Sequence, residues 1–428
     1  GWKGNDPMRK MQINMYDLIL CKTDAADLVC PEVANHHKQV AYLAFRIAEE
    51  FGLTAEQKRD ILLAGLLHDI GAFSVQERLA LFDFEENARE HADNGACMVE
   101  LFPPLAHLSD TIRYHHEPWD HGSKTLAGRV PLASHIIHLA DRIAVRINHR
   151  GDVLGQAEEI WKTVRSQSGA VFMPELVEAF IRVSRKEYLW LDLVYGSVLN
   201  IMPHLMPFDS KVMDMEGLLG LTRLFACIID FRSPFTANHS SGVAASAERL
   251  AELAGFSPKE CRMMRVAGYL HDLGKISVLN DLLEKPGKLD EQEYNIIRSH
   301  TYYTYRTLQN LQDFDTINQW ASLHHERLDG SGYPFHLTAD NLPLGSRIMA
   351  VADVFTAITE DRPYRAGMKE DEAKGVLHSM VKNQALCPYV VSLMDRYFDD
   401  INAVRIEAQR QSADEYHRFA ARDMTGGR

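Results

Sequence analysis

The chain has 428 residues, 46% of them hydrophobic and 25% charged, a globular composition that fits two or three domains and excludes fibrous and disordered classes. Its net charge of -13 excludes a non-specific hold on long nucleic acid, because phosphate backbones bind basic surfaces. Six cysteines at 21, 30, 97, 227, 261 and 387 form no C-x-x-C pair, and no apolar run approaches the ~20 residues of a membrane span, so a zinc knuckle, a disulfide framework and a membrane partner are not expected.

The polar start is no signal peptide, Met8 or Met11 is the expected natural start, and the expected location is the cytoplasm. In chain order, a first unit is expected over residues 32–190. It begins at His36, with Val40 and Ala41 one turn on. A proline-free run from Arg59 to His68, apolar along one side, predicts a helix that ends in Leu66-Leu67-His68-Asp69-Ile70-Gly71. His91, His115-His116-Glu117, Leu139-Ala140-Asp141 and Phe172-Met173-Pro174 follow. Residues 191–221 have mixed helical spacing and no Gly/Pro/Ser-rich run, so they are expected to form an ordered helical linker.

A second unit, expected over residues 222–410, repeats the first. His239 with Val243 and Ala244, and Tyr269-Leu270-His271-Asp272-Leu273-Gly274, recur at a shift of 203. His300, His324-His325-Glu326, Val351-Ala352-Asp353 and Leu386-Cys387-Pro388 keep the same order. Lys259 to His271 again predicts a helix. No alternating pattern recurs often enough to suggest a sheet, so the fold class is all-α, two tandem helical bundles.

Five histidines and two aspartates per unit are too many ligands for one tetrahedral metal and suit two ions that share a carboxylate. An adjacent His-Asp pair can reach two ions, since neighbouring helical side chains diverge by about 100°. A lone histidine is more often a core or surface residue than a ligand. Seven such residues in one order, twice, are not explained that way. Imidazole with carboxylate points to iron, manganese, nickel or zinc.

His271-Asp272-Leu273-Gly274-Lys275, the block His324 to Pro334 (HHERLDGSGYP), Asp353 and Asp361-Arg362-Pro363-Tyr364-Arg365 together resemble the HD-GYP branch of the HD-domain phosphohydrolases. The resemblance covers about residues 222–400 and rests on a long, irregular block. It implies hydrolysis of a cyclic dinucleotide, 3'3'-cGAMP or cyclic di-GMP, to the linear dinucleotide and onward to mononucleotides. It makes Asp272 the bridging ligand, places His239, His271 and Asp353 on one ion, and places His300, His324 and His325 on the other. Lys275, Arg362 and Arg365 fall where the family contacts phosphate, and Gly332-Tyr333-Pro334 forms a substrate loop. Phe235 stands where members with a third ion carry glutamate, so two ions are expected. Candidate partners beyond the substrate are a second copy of the chain or a signalling protein.

The first unit resembles a divergent member. It keeps His36, His68, Asp69, His91, His115, His116 and Asp141 as a candidate second metal site. Ala72 replaces the lysine, no Gly-Tyr-Pro follows His116, Arg150 matches Arg362, and Val153 stands in place of Arg365. A structural or regulatory role is expected there. Two other readings stay open: an HD-type nucleotidase or guanosine tetraphosphate hydrolase, which His300, His324 and His325 disfavour, and an adaptor that senses the nucleotide without cleaving it.

Overall fold

The computed structural model describes residues 13–27, 35–72, 88–120, 130–148, 151–194, 213–231, 238–283, 285, 287–361 and 366–423. Among these residues there is no strand; two isolated bridges, Ser168 with Phe172 and Asp329 with Thr338, close loops. The all-α expectation holds. No helix of the described residues is long and apolar enough to cross a membrane.

The chain divides into two compact units. One comprises residues 27–210 with 419–428; the other comprises 211–418 together with residues 1–26. Helix α1 (Met15–Asp27) therefore belongs with the C-terminal unit, where Met213 N donates to Ile13 O at 2.9 Å. Most of the expected linker, residues 195–212, lies outside the described residues.

The N-terminal unit contains α2 (His36–Phe51), α3 (Ala55–Leu67), α4 (Ala88–Glu100), α5 (Ser109–Arg113), α6 (Leu132–Ala144), α7 (Val153–Ser166), α8 (Pro174–Ser184) and α9 (Glu187–Val194). The C-terminal unit contains α10 (Met215–Asp230), α11 (His239–Leu253), α12 (Pro258–Leu270), α13 (Asn280–Leu283), α14 (Glu291–Leu308), α15 (Asp315–Ser322), α16 (Leu344–Thr359), α17 (Glu370–Lys382), α18 (Pro388–Arg396) and most of α19 (Phe398–Asp423).

The duplication extends to the way the helices start. Thr54 caps α3 by accepting from Gln57 N at 3.3 Å, while the Gln57 side chain accepts from Thr54 N at 3.0 Å. Ser257 and Glu260 make the same reciprocal pair on α12, where Pro258 also presets the first turn. Each such cap is worth about 1 kcal/mol and sets where the helix begins. It therefore sets where the helix delivers its terminal histidine.

Helices α2 with α3, and α11 with α12, pack as close antiparallel pairs because glycine sits at each crossing. A Cβ on Gly65 would come within 2.7 Å of Ala41 Cα, and one on Gly268 within 2.4 Å of Ala244 Cα. Val40, Ala44, Leu62 and Leu66 fill the first core; Val243, Ala247, Met264 and Val266 fill the second.

Candidate active site

In both units the first histidine opens a helix, the His-Asp pair closes the next one, and the later histidines arrive from α4 and the end of α5, or from α14 and the end of α15. Backbone contacts aim the rings. Nδ1 of His68 meets Gly65 O at 2.8 Å and Nδ1 of His271 meets Gly268 O at 2.8 Å. His115 and His324 contact Ile112 O and Ala321 O, each at 2.6 Å, and His300 contacts Ile297 O at 2.5 Å. With Nδ1 as donor to a carbonyl, the tautomer is set and the Nε2 lone pair faces into the cluster, the usual outer arrangement of a metal-ligating imidazole.

In the C-terminal unit His239 Nε2 lies 3.2 Å from Asp353 Oδ1, and His271 Nε2 lies 3.2 Å from Asp272 Oδ2. His300 Nε2 approaches the other Asp272 oxygen at 3.4 Å. His300, His324 and His325 bring their ligand atoms within 4.8 Å of one another, as do His239, His271 and Asp353. A third grouping joins His271, Asp272 and His324. Asp272 thus stands between two sets of imidazoles, one on each carboxylate oxygen. Lys275 Nζ donates to Asp272 Oδ2 at 2.6 Å.

The N-terminal unit builds the same figure. Asp69 Oδ2 lies 3.0 Å from His68 Nε2, and Asp69 Oδ1 lies 3.2 Å from His91 Nε2 and 3.6 Å from His115 Nε2. His36 Nε2 lies 3.1 Å from Asp141 Oδ1, and His116 Nε2 lies 3.1 Å from His91 Nε2. Asp69, His91, His115 and His116 form one grouping; His36, His68 and Asp69 form the other. All seven predicted residues of each unit come together.

These donors fit divalent ions. Nε2 of His68 and His271 and Oδ1 of Asp69 and Asp272 are buried and make no hydrogen bond of normal geometry with any described residue. Leaving such buried atoms without a well-formed hydrogen bond is costly, and a cation would satisfy both kinds at once. Burial pushes His115 down to about 4 and His300 down to about 3, and it drives His324 well below the ordinary histidine value. Neutral rings keep the lone pairs that metals require. Burial raises Asp272, yet His271 and Lys275 more than offset this and hold the carboxyl well below its ordinary value.

Four supporting contacts were not legible from the motifs. Glu360 Oε2 meets His239 Nδ1 at 3.1 Å and accepts from Gln409 Nε2 of α19 at 3.1 Å, a carboxylate that orients this imidazole. Asp230 accepts from Ser240 N and Oγ at 2.9 and 2.8 Å, next to His239. Glu326 closes the substrate loop by accepting from Phe335 N at 2.6 Å and Leu337 N at 3.0 Å. Arg142 donates to Asp141 Oδ2 through two nitrogens, at 3.0 and 2.7 Å. Each stands beside a recognised residue, but only the fold shows what it touches.

Gly274 and Gly71 have steric reasons. A Cβ there would meet His300 O at 2.0 Å or His91 O at 2.2 Å. Gly332 is buried, and its Cβ would meet Arg327 N at 2.4 Å. Tyr333 packs its ring 5.0 Å from that of His325, so it supports that imidazole as well as lining the loop that ends at Pro334. Arg362, Arg365, Arg150 and Phe235 lie outside the described residues.

The profile of the HD domain matches residues 33–146, and a second HD-domain profile matches 223–386. The chain is 31% identical over 381 residues to the 3'3'-cGAMP-specific phosphodiesterase 1 of Vibrio cholerae, covering 86% of this chain and 88% of that one. It is 40% identical over 161 residues to the cyclic di-GMP phosphodiesterase response regulator RpfG of Xanthomonas campestris, covering 37% of this chain and 42% of that one. The crystal structure of the cyclic GMP-AMP-specific phosphodiesterase V-cGAP3 of Vibrio cholerae shares the fold, with a TM-score of 0.64 at 24% identity over 90% of this chain and 98% of that one. With two HD domains in tandem and a relative matched along most of both lengths, the chain belongs to the HD-GYP family of HD-domain phosphodiesterases.

Proposed function

We propose that this protein is a metal-dependent phosphodiesterase that opens a cyclic dinucleotide, 3'3'-cGAMP or cyclic di-GMP, to the linear dinucleotide and then to mononucleotides, and that it works in the cytoplasm. The observation that carries the reading is Asp272 between two sets of imidazoles with the Lys275 ammonium 2.6 Å from its edge. The substrates named for the relatives supply the class.

His239, His271 and Asp353 would hold one divalent transition ion, His300, His324 and His325 a second, and Asp272 both; iron, manganese, nickel and zinc all suit this set. Such ions supply Lewis acidity toward the phosphoryl oxygens and activate water at neutral pH. Lys275 adds a fixed positive charge at the same edge, where negative charge grows as the 3' oxygen leaves. Arg362 and Arg365 are assigned the same duty from their motif positions. Glu360 and the backbone carbonyls keep the imidazoles aimed, and the loop held by Glu326 walls the site with Gly332, Tyr333 and Pro334.

For the N-terminal unit we assign metal holding without hydrolysis. Ala72 puts a methyl where Lys275 puts an ammonium, and Arg142 already occupies one oxygen of Asp141. The test is turnover of purified protein against 3'3'-cGAMP, cyclic di-GMP and cyclic di-AMP, with metal content measured on the same sample. We expect linear product, its loss on chelation and its return with manganese or ferrous iron. Full activity after chelation overturns the reading, as does metal-loaded protein that cleaves none of the three.

A further inference from the structure

We propose that Arg298 reads a guanine base of the substrate. This rests on the cyclic dinucleotide reading above and goes beyond it to base choice. Arg298 lies on α14, two residues before His300, and its guanidinium stacks on two rings: 5.7 Å from the centre of Tyr294, one turn back on the same helix, and 5.0 Å from the centre of Tyr333. Tyr333 in turn packs 5.0 Å from His325. The guanidinium is therefore two ring contacts from a metal-site histidine, at the edge of the substrate loop.

What marks this arginine is that no acid among the described residues pairs with it. Other partly buried arginines of the unit are spoken for: Arg265 pairs with Glu248 at 2.8 Å, Arg249 with Glu252 and Asp400 at 2.6 Å, and Arg347 donates to Leu342 O at 2.9 Å. Arg298 is half-buried, yet its side chain makes no hydrogen bond or ion pair with any described residue. Among the described residues its charge meets ring faces alone, so its planar fork of N–H donors stays available.

A fork of parallel donors matches the O6 and N7 acceptors along one edge of guanine. Adenine offers N7 beside an amino group on that edge, so a donor would face a donor. The arrangement thus selects guanine over adenine, and both candidate substrates carry guanine. Lysine keeps charge and ring contact but lacks the fork, so Arg298→Lys separates recognition from support.

The experiment pairs Arg298→Lys with a change in the substrate: cyclic di-GMP against its 7-deazaguanine analogue, which has C–H in place of N7. Metal content and kcat/KM are measured for all four combinations. We expect wild type to lose about 10-fold on the analogue, and the variant to lose about 10- to 100-fold on cyclic di-GMP with metal retained. The variant should show no further loss on the analogue. An equal wild-type and variant penalty for the analogue overturns the assignment, as does a variant with unchanged kcat/KM. A metal-loaded wild type that cleaves no cyclic dinucleotide overturns the parent reading, and this one with it.

Discussion

In the N-terminal unit Asp141, the second aspartate of the cluster, gives its Oδ2 to the guanidinium of Arg142 at 2.7 Å, whereas the residue after Asp353 in the C-terminal unit is Val354. The cation of the C-terminal cluster is instead Lys275, on the central carboxylate Asp272 at 2.6 Å, where the N-terminal unit has the buried Ala72. Both clusters aim His-Asp imidazoles by the same carbonyl contact at 2.8 Å. Holding ions and handling phosphate are therefore separable demands. Ligand geometry serves wherever bound ions would stabilise the fold, while a fixed cation at the central carboxylate is needed only where phosphoryl charge would develop.

The largest effect should come from the central carboxylates. Asp272→Ala is expected to lower turnover by at least about 1,000-fold and to strip metal from the C-terminal cluster, because it removes the group shared by both imidazole sets. Asp69→Ala should lower metal content and melting temperature while most turnover survives. Activity assays and metal analysis on the two variants side by side decide it; if each removes about half of the activity, the units are equal catalysts and the contrast fails.

Next comes Lys275→Ala, expected to reduce kcat by about 100- to 1,000-fold with metal content unchanged, since an ammonium is no ligand. Metal lost in parallel with rate would make Lys275 a structural residue. Glu360→Gln should weaken metal affinity of the C-terminal cluster by about 10- to 100-fold through loss of the carboxylate on His239. Competition with a chelator measures this, and an unchanged affinity would remove Glu360 from the argument. The smallest effect is Arg142→Val, which copies the C-terminal unit. Removing a positive charge beside Asp141 should raise N-terminal metal affinity several-fold, by about 1 kcal/mol, in the same competition experiment. A fall in affinity would show that Arg142 positions Asp141 instead of competing for it.

Much of this was open to inspection in the linear chain. The order His36, His68-Asp69, His91, His115-His116, Asp141 and its repeat name every residue that the fold gathers into the two clusters. The caps Thr54 and Ser257 mark helix starts, because capping is decided within four residues. Gly71 and Gly274 belong to the motif, although a carbonyl about 2 Å from a would-be Cβ is what requires them. Tyr333 is named by the loop motif, and only the packing shows that its ring also supports His325.

What the sequence by itself determined is therefore the kind and order of the clustered histidines and aspartates, the all-α class and the duplication, since each depends on short-range spacing and residue chemistry. Tertiary structure alone decided which carboxylate oxygen meets which imidazole, that Glu360 lies behind His239 across a separation of 121 residues, that Glu326 ties the loop, and that Arg298 rests on the rings of Tyr294 and Tyr333. Those contacts join helix faces far apart in the chain. Their geometry follows from how α11, α14, α16 and α19 pack, and packing is a property of the assembled core that no local pattern carries.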